Sequence, residues 1–175
     1  MLRLARGLEG RKIRVRFAPD LRASNGRLFS GGTRGEEVHA GSFLRRREIV
    51  LDSELLKQPA ELGRICIHEL FHFAWLRAGN AARRSWQELL AAEIANHAKG
   101  ELGWSAEDRK LRLTRNDWTR RTLRWREYAC ESFCDSAAWL LGGVRRHEEF
   151  TLAPRFQKGR RRWFLETLGN KALRV

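Results

Sequence analysis

Along this chain apolar and polar residues first alternate and later cluster. In residues 12–17, Lys-Ile-Arg-Val-Arg-Phe, the apolar Ile13, Val15 and Phe17 alternate with basic side chains. That two-residue period predicts a half-buried strand. A loop rich in Gly, Ser and Asn follows, through Gly31-Gly32. Residues 37–44 and 48–52 read as two further strands, joined by a turn at Arg45–Arg47. Pro59 stands where a first helical turn begins. From Ala60 to Ala78 the chain is almost continuously apolar, and Gly79 closes the run. A stretch apolar on nearly every side predicts a buried helix rather than a surface one.

The second half reads as helical. Ser85-Trp86-Gln87-Glu88 has the capping-box pattern and predicts a helix from Ser85 to about Lys99, before Gly100. Ser105 caps a short turn. Thr114 to Asp117 forms another cap, ahead of one long helix that stops at Gly142-Gly143. A last short helix is expected from about Arg160 to Leu168, ended by Gly169-Asn170. Strands first and helices afterwards predict an α+β fold, with a small N-terminal antiparallel sheet followed by a helical region. Length and the lack of a repeat or linker predict one domain over 1–175, with a basic C-terminal segment at about 145–175.

Composition narrows the classes. The 175 residues hold 35 Lys+Arg against 21 Asp+Glu, a net charge of +14, with 7 Trp and 9 Phe. So many aromatics argue against a disordered basic tail. No run of 18 apolar residues is present, so no membrane span is expected. The opening MLRLARGLEGRKIRV lacks a continuous apolar stretch, so no signal peptide is expected either. Three cysteines, an odd number, fit a reducing, cytoplasmic compartment. The basic charge is uneven. Arg109, Lys110, Arg112, Arg115, Arg120, Arg121, Arg124 and Arg126 stand against Asp117 alone, and Arg155, Lys158 and Arg160–Arg162 against no acid. Such rows attract polyanions, or simply keep a helix face solvated.

The candidate chemistry lies inside the first helix, at His68-Glu69-Leu70-Phe71-His72. Positions i and i+4 share a helix face, so both imidazoles reach one cation. The glutamate between them is set to act on a water activated by that cation. Two imidazoles and a carboxylate on an apolar helix are costly without such a partner.

A catalytic zinc site takes three protein ligands. On the long helix Glu127, Glu131 and Asp135 recur every four residues and span about 80° of one face. Glu131 is the favoured third ligand, with Asp135 as an acceptor that orients a ligand histidine. Glu127, beside Arg124 and Arg126, fits a surface acid better and is only a less favoured alternative ligand. His97, on the second helix, is the rival ligand, and Glu93 shares its face. Cys66, Cys130 and Cys134 read as buried inert thiols. Tyr128, the single tyrosine, is a candidate donor to the oxyanion.

These motifs resemble the gluzincin branch of the zincin metallopeptidases, in which HExxH is followed on a later helix by a ligand Glu and often an Asp one turn on. His68–His72 and Glu131-Ser-Phe-Cys-Asp135 match that arrangement. A strand at 48–52, a short spacer and then the HExxH helix are similar to small zincins of the ImmA/IrrE and SprT kinds. An extra helix makes the interval from His72 to Glu131 longer than in compact gluzincins. The resemblance implies one Zn2+ per chain, Glu69 as general base, and a protein or peptide substrate. That substrate would pair with the sheet edge near residues 37–44. Two alternatives are a zinc hydrolase of another bond, and a basic nucleic-acid-associated protein, including a DNA-linked protease of the SprT kind.

Overall fold

The computed structural model describes residues 7–33, 35–169 and 172–175. The start of the opening segment (1–6) and the expected helix stop at Asn170 lie outside the described residues. Among the described residues eight strands and six α-helices occur in the order β1 Leu8–Glu9, β2 Arg14–Ala18, β3 Leu21–Ser24, β4 Arg27–Ser30, β5 Glu36–Glu37, β6 Ala40–Phe43, β7 Glu48–Asp52, α1 Pro59–Arg77, α2 Asn80–Ala95, α3 Trp104–Leu111, α4 Arg115–Arg120, α5 Leu123–Leu141, α6 Pro154–Leu168 and β8 Leu173–Arg174. The expected α+β class holds.

Two three-stranded sheets lie in the N-terminal part: β4-β3-β5 is antiparallel, as expected, and β2-β7-β6 is mixed. Central β7 pairs antiparallel with β6, Phe43 opposite Glu48, and parallel with β2, Arg14 opposite Glu48. Ile49, Val50 and Leu51 of β7 are buried on both faces, as a central strand requires. β2 is an edge strand. Its Val15 and Phe17 stay 49% and 41% exposed, so the alternating pattern marks a strand without a covered face. The expected loop after β2 contains a hairpin. Asn25 and Gly26 both take positive φ, 49° and 70°, in the two-residue turn between β3 and β4.

Pro59 occupies the first turn of α1, as expected. Helix α1 packs lengthwise on α5, and both feed the main core through Phe71, Phe73, Trp125, Phe133 and Leu140. Gly142 permits that approach: a Cβ there would lie 2.8 Å from the Arg64 Cα.

Helix α2 starts at Asn80, more than a turn before the expected cap at Ser85. The Ser85 hydroxyl instead donates to the Ala82 carbonyl and accepts from Trp163 Nε1. The long helix expected after Thr114 is broken in two. Thr114 and Asp117 do form a capping box, but Arg121 turns left-handed (φ 51°) and Thr122 caps α5. Asp117 joins the pieces by accepting from Thr114 and Thr122. Helix α6 begins at Pro154, six residues before the expected start, and buries Phe164 in the main core. The C-terminal basic segment is therefore part of that core. Among the described residues no helix is long and apolar enough to cross a membrane.

Candidate metal centre

Helix α1 carries His68 and His72 one turn apart, and α5 brings Glu131 across to them. The two Nε2 atoms lie 3.2 Å apart. Glu131 Oε2 is 3.3 Å from His68 Nε2 and 3.9 Å from His72 Nε2. Donors held about 2.0–2.1 Å from one tetrahedral ion stand about 3.3–3.4 Å apart. Two edges match that spacing and the third is slightly wide, so the donor set fits a zinc-sized cation.

The surrounding residues orient these donors. Asp135 Oδ1 accepts from His68 Nδ1 at 2.7 Å, which turns Nε2 toward the common point. The other Asp135 oxygen accepts from the Ala106 amide at 3.0 Å. Gly103 lets α3 come this close, because a Cβ there would lie 2.2 Å from the Asp135 carboxyl carbon. Arg109 Nη2 reaches Glu131 Oε1 at 3.3 Å, leaving Oε2 to the histidine side. Burial raises the pKa of Glu131, but the His68 hydrogen bond and the His72 and Arg109 charges outweigh it and hold the carboxyl at about 2. Burial likewise opposes charge on His68, yet Asp135 and Glu131 carry its pKa well above 6.5.

Glu69 faces the sheet. Its Oε2 accepts from Ser42 Oγ of β6 at 2.6 Å, and the same hydroxyl lies 3.1 Å from the Glu69 carbonyl. A cavity of about 230 Å³ opens there, lined by His39, Ala40, Ile65, His68, Glu69 and Trp104 among others. Helix α1 thus points its two imidazoles at α5 and its glutamate at a cleft beside the edge strand β6.

Not every expected residue arrives. Tyr128 is fully buried and donates to Glu101 Oε1 at 2.6 Å, so its hydroxyl is spent inside the core and does not line the cleft. His97 lies beyond the end of α2 in a left-handed conformation (φ 55°), exposed and outside the cluster. Glu127 is exposed beside Arg109, Arg112 and Arg124, as expected of a surface acid. Glu93 is buried, but it pairs with Arg160.

Four residues around the site escape the sequence reading. Ser42 sits in a strand with no motif around it. Arg109 is one basic residue in a long row, and nothing local singles it out. Cys130 and Cys134 were read as inert, yet both sulfurs face His72 Nδ1, at 3.6 and 3.5 Å.

The arginine rows divide. Arg83, Arg84, Arg121 and Arg126 line a cleft of about 450 Å³ with Trp75, Asn80 and Gln87, and Glu88 lies 3.7 Å from Arg121. Arg160, by contrast, is wholly buried. Comparison of the chain with protein-family models, curated proteins and solved structures gives no match.

Proposed function

We propose that this chain is a zinc-dependent metallopeptidase, with His68, His72 and Glu131 as zinc ligands and Glu69 as general base. The supporting observation is the convergence of three donor atoms at 3.2–3.9 Å beside a cleft that contains Glu69. When bound, zinc supplies a Lewis acid that brings the pKa of water toward neutrality. Glu69 takes the proton of the attacking water and hands it to the leaving amine. Ser42 holds the Glu69 carboxylate by the hydroxyl contact at 2.6 Å. Asp135 fixes the His68 ring, and Arg109 neutralises the Glu131 oxygen that the histidines do not face. β6 is the free edge of the sheet ordered β2-β7-β6, and Ala40 on it lines the cleft. A peptide substrate pairs there by backbone hydrogen bonds.

Glu69→Gln tests the mechanism. Loss of a general base costs roughly 10²–10⁴-fold in rate. The variant should lose peptide hydrolysis by that factor and still hold zinc at the wild-type stoichiometry. Hydrolysis at the wild-type rate would overturn the mechanism, and a purified protein that takes up no zinc would overturn the whole reading.

The arginine-lined cleft beside Trp75 favours a second reading, a protein that associates with nucleic acid. It requires that log affinity for DNA or RNA fall linearly with log salt. Glu69→Gln should leave that binding unchanged. Binding that ignores salt would remove this reading.

A further inference from the structure

Three groups of metal-ligating side chains converge among the described residues. One is the centre described above. A second, Glu61, His147 and Glu149, already has its cation, because the buried Arg64 guanidinium bonds both carboxylates. The third is His72 with Cys130 and Cys134, and no basic side chain fills it.

We propose that Cys130, Cys134 and Nδ1 of His72 form a second metal site, for one thiophilic d10 ion such as zinc(II) or copper(I). Thiolate–metal bonds of about 2.3 Å and imidazole–metal bonds of about 2.0–2.1 Å place sulfur and nitrogen about 3.5–3.6 Å apart in a tetrahedral site. The observed separations are 3.6 Å to Cys130 and 3.5 Å to Cys134, and all three donor atoms lie within 4.8 Å of one another. The thiols are one turn apart on α5, so helix geometry aims both at the same ring. Two sulfurs and an imidazole select soft cations over hard ones. Cys134 is buried, while Cys130 and His72 are only half-buried and leave an approach for the ion.

The two sites share one ring. His72 presents Nε2 to His68 and Glu131, and Nδ1 to the cysteines. A neutral imidazole has a single lone pair, so a cation on Nδ1 leaves the ring proton on Nε2. The hydrolytic ion then takes Nε2 only if that proton passes to solvent, and filling the thiolate site therefore opposes binding of His72 to the hydrolytic ion. The thiolate site itself does not depend on the peptidase reading.

Cadmium(II) is the probe, added to the reduced, metal-free full-length protein. The readouts are the ultraviolet thiolate-to-cadmium charge-transfer band and the bound stoichiometry. One thiolate-bound cadmium per chain is expected, with the band retained in His68→Ala and Glu131→Gln. Cys130→Ser and Cys134→Ser should each lower cadmium affinity at that band by more than about tenfold. Circular dichroism checks that both fold, and Cys130→Ser, at a half-buried position, carries the test if Cys134→Ser does not. A wild type without the band, a band unchanged in Cys130→Ser, or a band lost in His68→Ala would each overturn the proposal. None of these readouts involves hydrolysis, so failure here and failure of the peptidase mechanism are separate results.

Discussion

Helix α5 borders two buried polar clusters, and they settle their charges in different ways. Along one row, Tyr128, Ser132 and Ser136 face Glu101 and the guanidinium of Arg160. Arg160 bonds Glu93 and Glu101, and Lys110 adds a second cation at 3.1 Å from Glu101. Every donor there meets an acceptor, and the cations belong to the chain. Along the neighbouring rows, Glu131, Asp135, Cys130 and Cys134 face His68 and His72. There two imidazole nitrogens stand 3.2 Å apart with a carboxylate oxygen beside them. Those nitrogens share at most one hydrogen bond, and with Glu131 Oε2 they converge on a common place. A cluster whose positive charge is built in is a brace. The second cluster has a chain cation only on its outer side, Arg109 at Glu131 Oε1, and its converging donors would, on the proposed function, receive a cation from outside.

The largest effect should come from breaking the brace. Arg160→Met leaves Glu93 and Glu101 buried without their guanidinium. Removing one partner of a buried ion pair costs about 3–5 kcal/mol. In a chain of this size that lowers the melting temperature by roughly 6–20 °C. Zinc uptake by the folded fraction should stay at wild-type stoichiometry, since none of the lost bonds reaches the histidines. A loss below about 1 kcal/mol would show that Arg160 does not close its cluster. Loss of zinc from the folded variant would show that the two clusters are not separate.

The two clusters were unequally legible in the sequence. His68, Glu69 and His72 follow from helical spacing alone, and so does Asp135 one turn after Glu131, because i and i+4 share a face wherever the helix lies. Depth is not local. Tyr128 sits close to Glu131 on the wheel, yet its hydroxyl turns to Glu101, a loop residue with no pattern of its own. Arg160 counted as one charge in a basic run, and only the packing of α6 against α2 shows it to be buried. His97 fitted a helix face that stops short of it, because the chain turns left-handed there. The Asn25-Gly26 hairpin was readable from its turn residues and hidden by the Gly-rich stretch around it. The parallel pairing of β2 with β7 depends on how β6 returns beside them, which no local pattern encodes.

A smaller and more discriminating effect lies in pH. In the metal-free protein His68 is carried well above its ordinary 6.5, and His72 is also raised. The stability that their protonation contributes is complete below about pH 6.5 and is lost as pH rises through the raised values. Glu131, held at about 2, contributes stability above its ordinary 4.5 that is lost as pH falls toward 2. The metal-free cluster is therefore most favourable between those two ordinary values. On the proposed function, bound zinc would reverse the upper limb, because a ligand imidazole must first give up its proton. The melting temperature with excess zinc should therefore pull away from that of the metal-free protein as pH rises from about 5.5 to about 8. Each displaced proton contributes about 1.4 kcal/mol per pH unit, or roughly 3–5 °C per unit in a chain of this length. The Arg160 cluster adds nothing to that slope. Its Arg160 is pushed further above the ordinary guanidinium value and its Glu101 below 4.5, so both stay charged across the interval. Glu93, which burial raises, bonds Arg160 rather than the histidines and titrates alike in both curves. A gap between the two curves that stays constant with pH would mean that zinc stabilises the protein without displacing protons from His68 and His72. The contrast between a braced cluster and a receptive one would then fail at the receptive side.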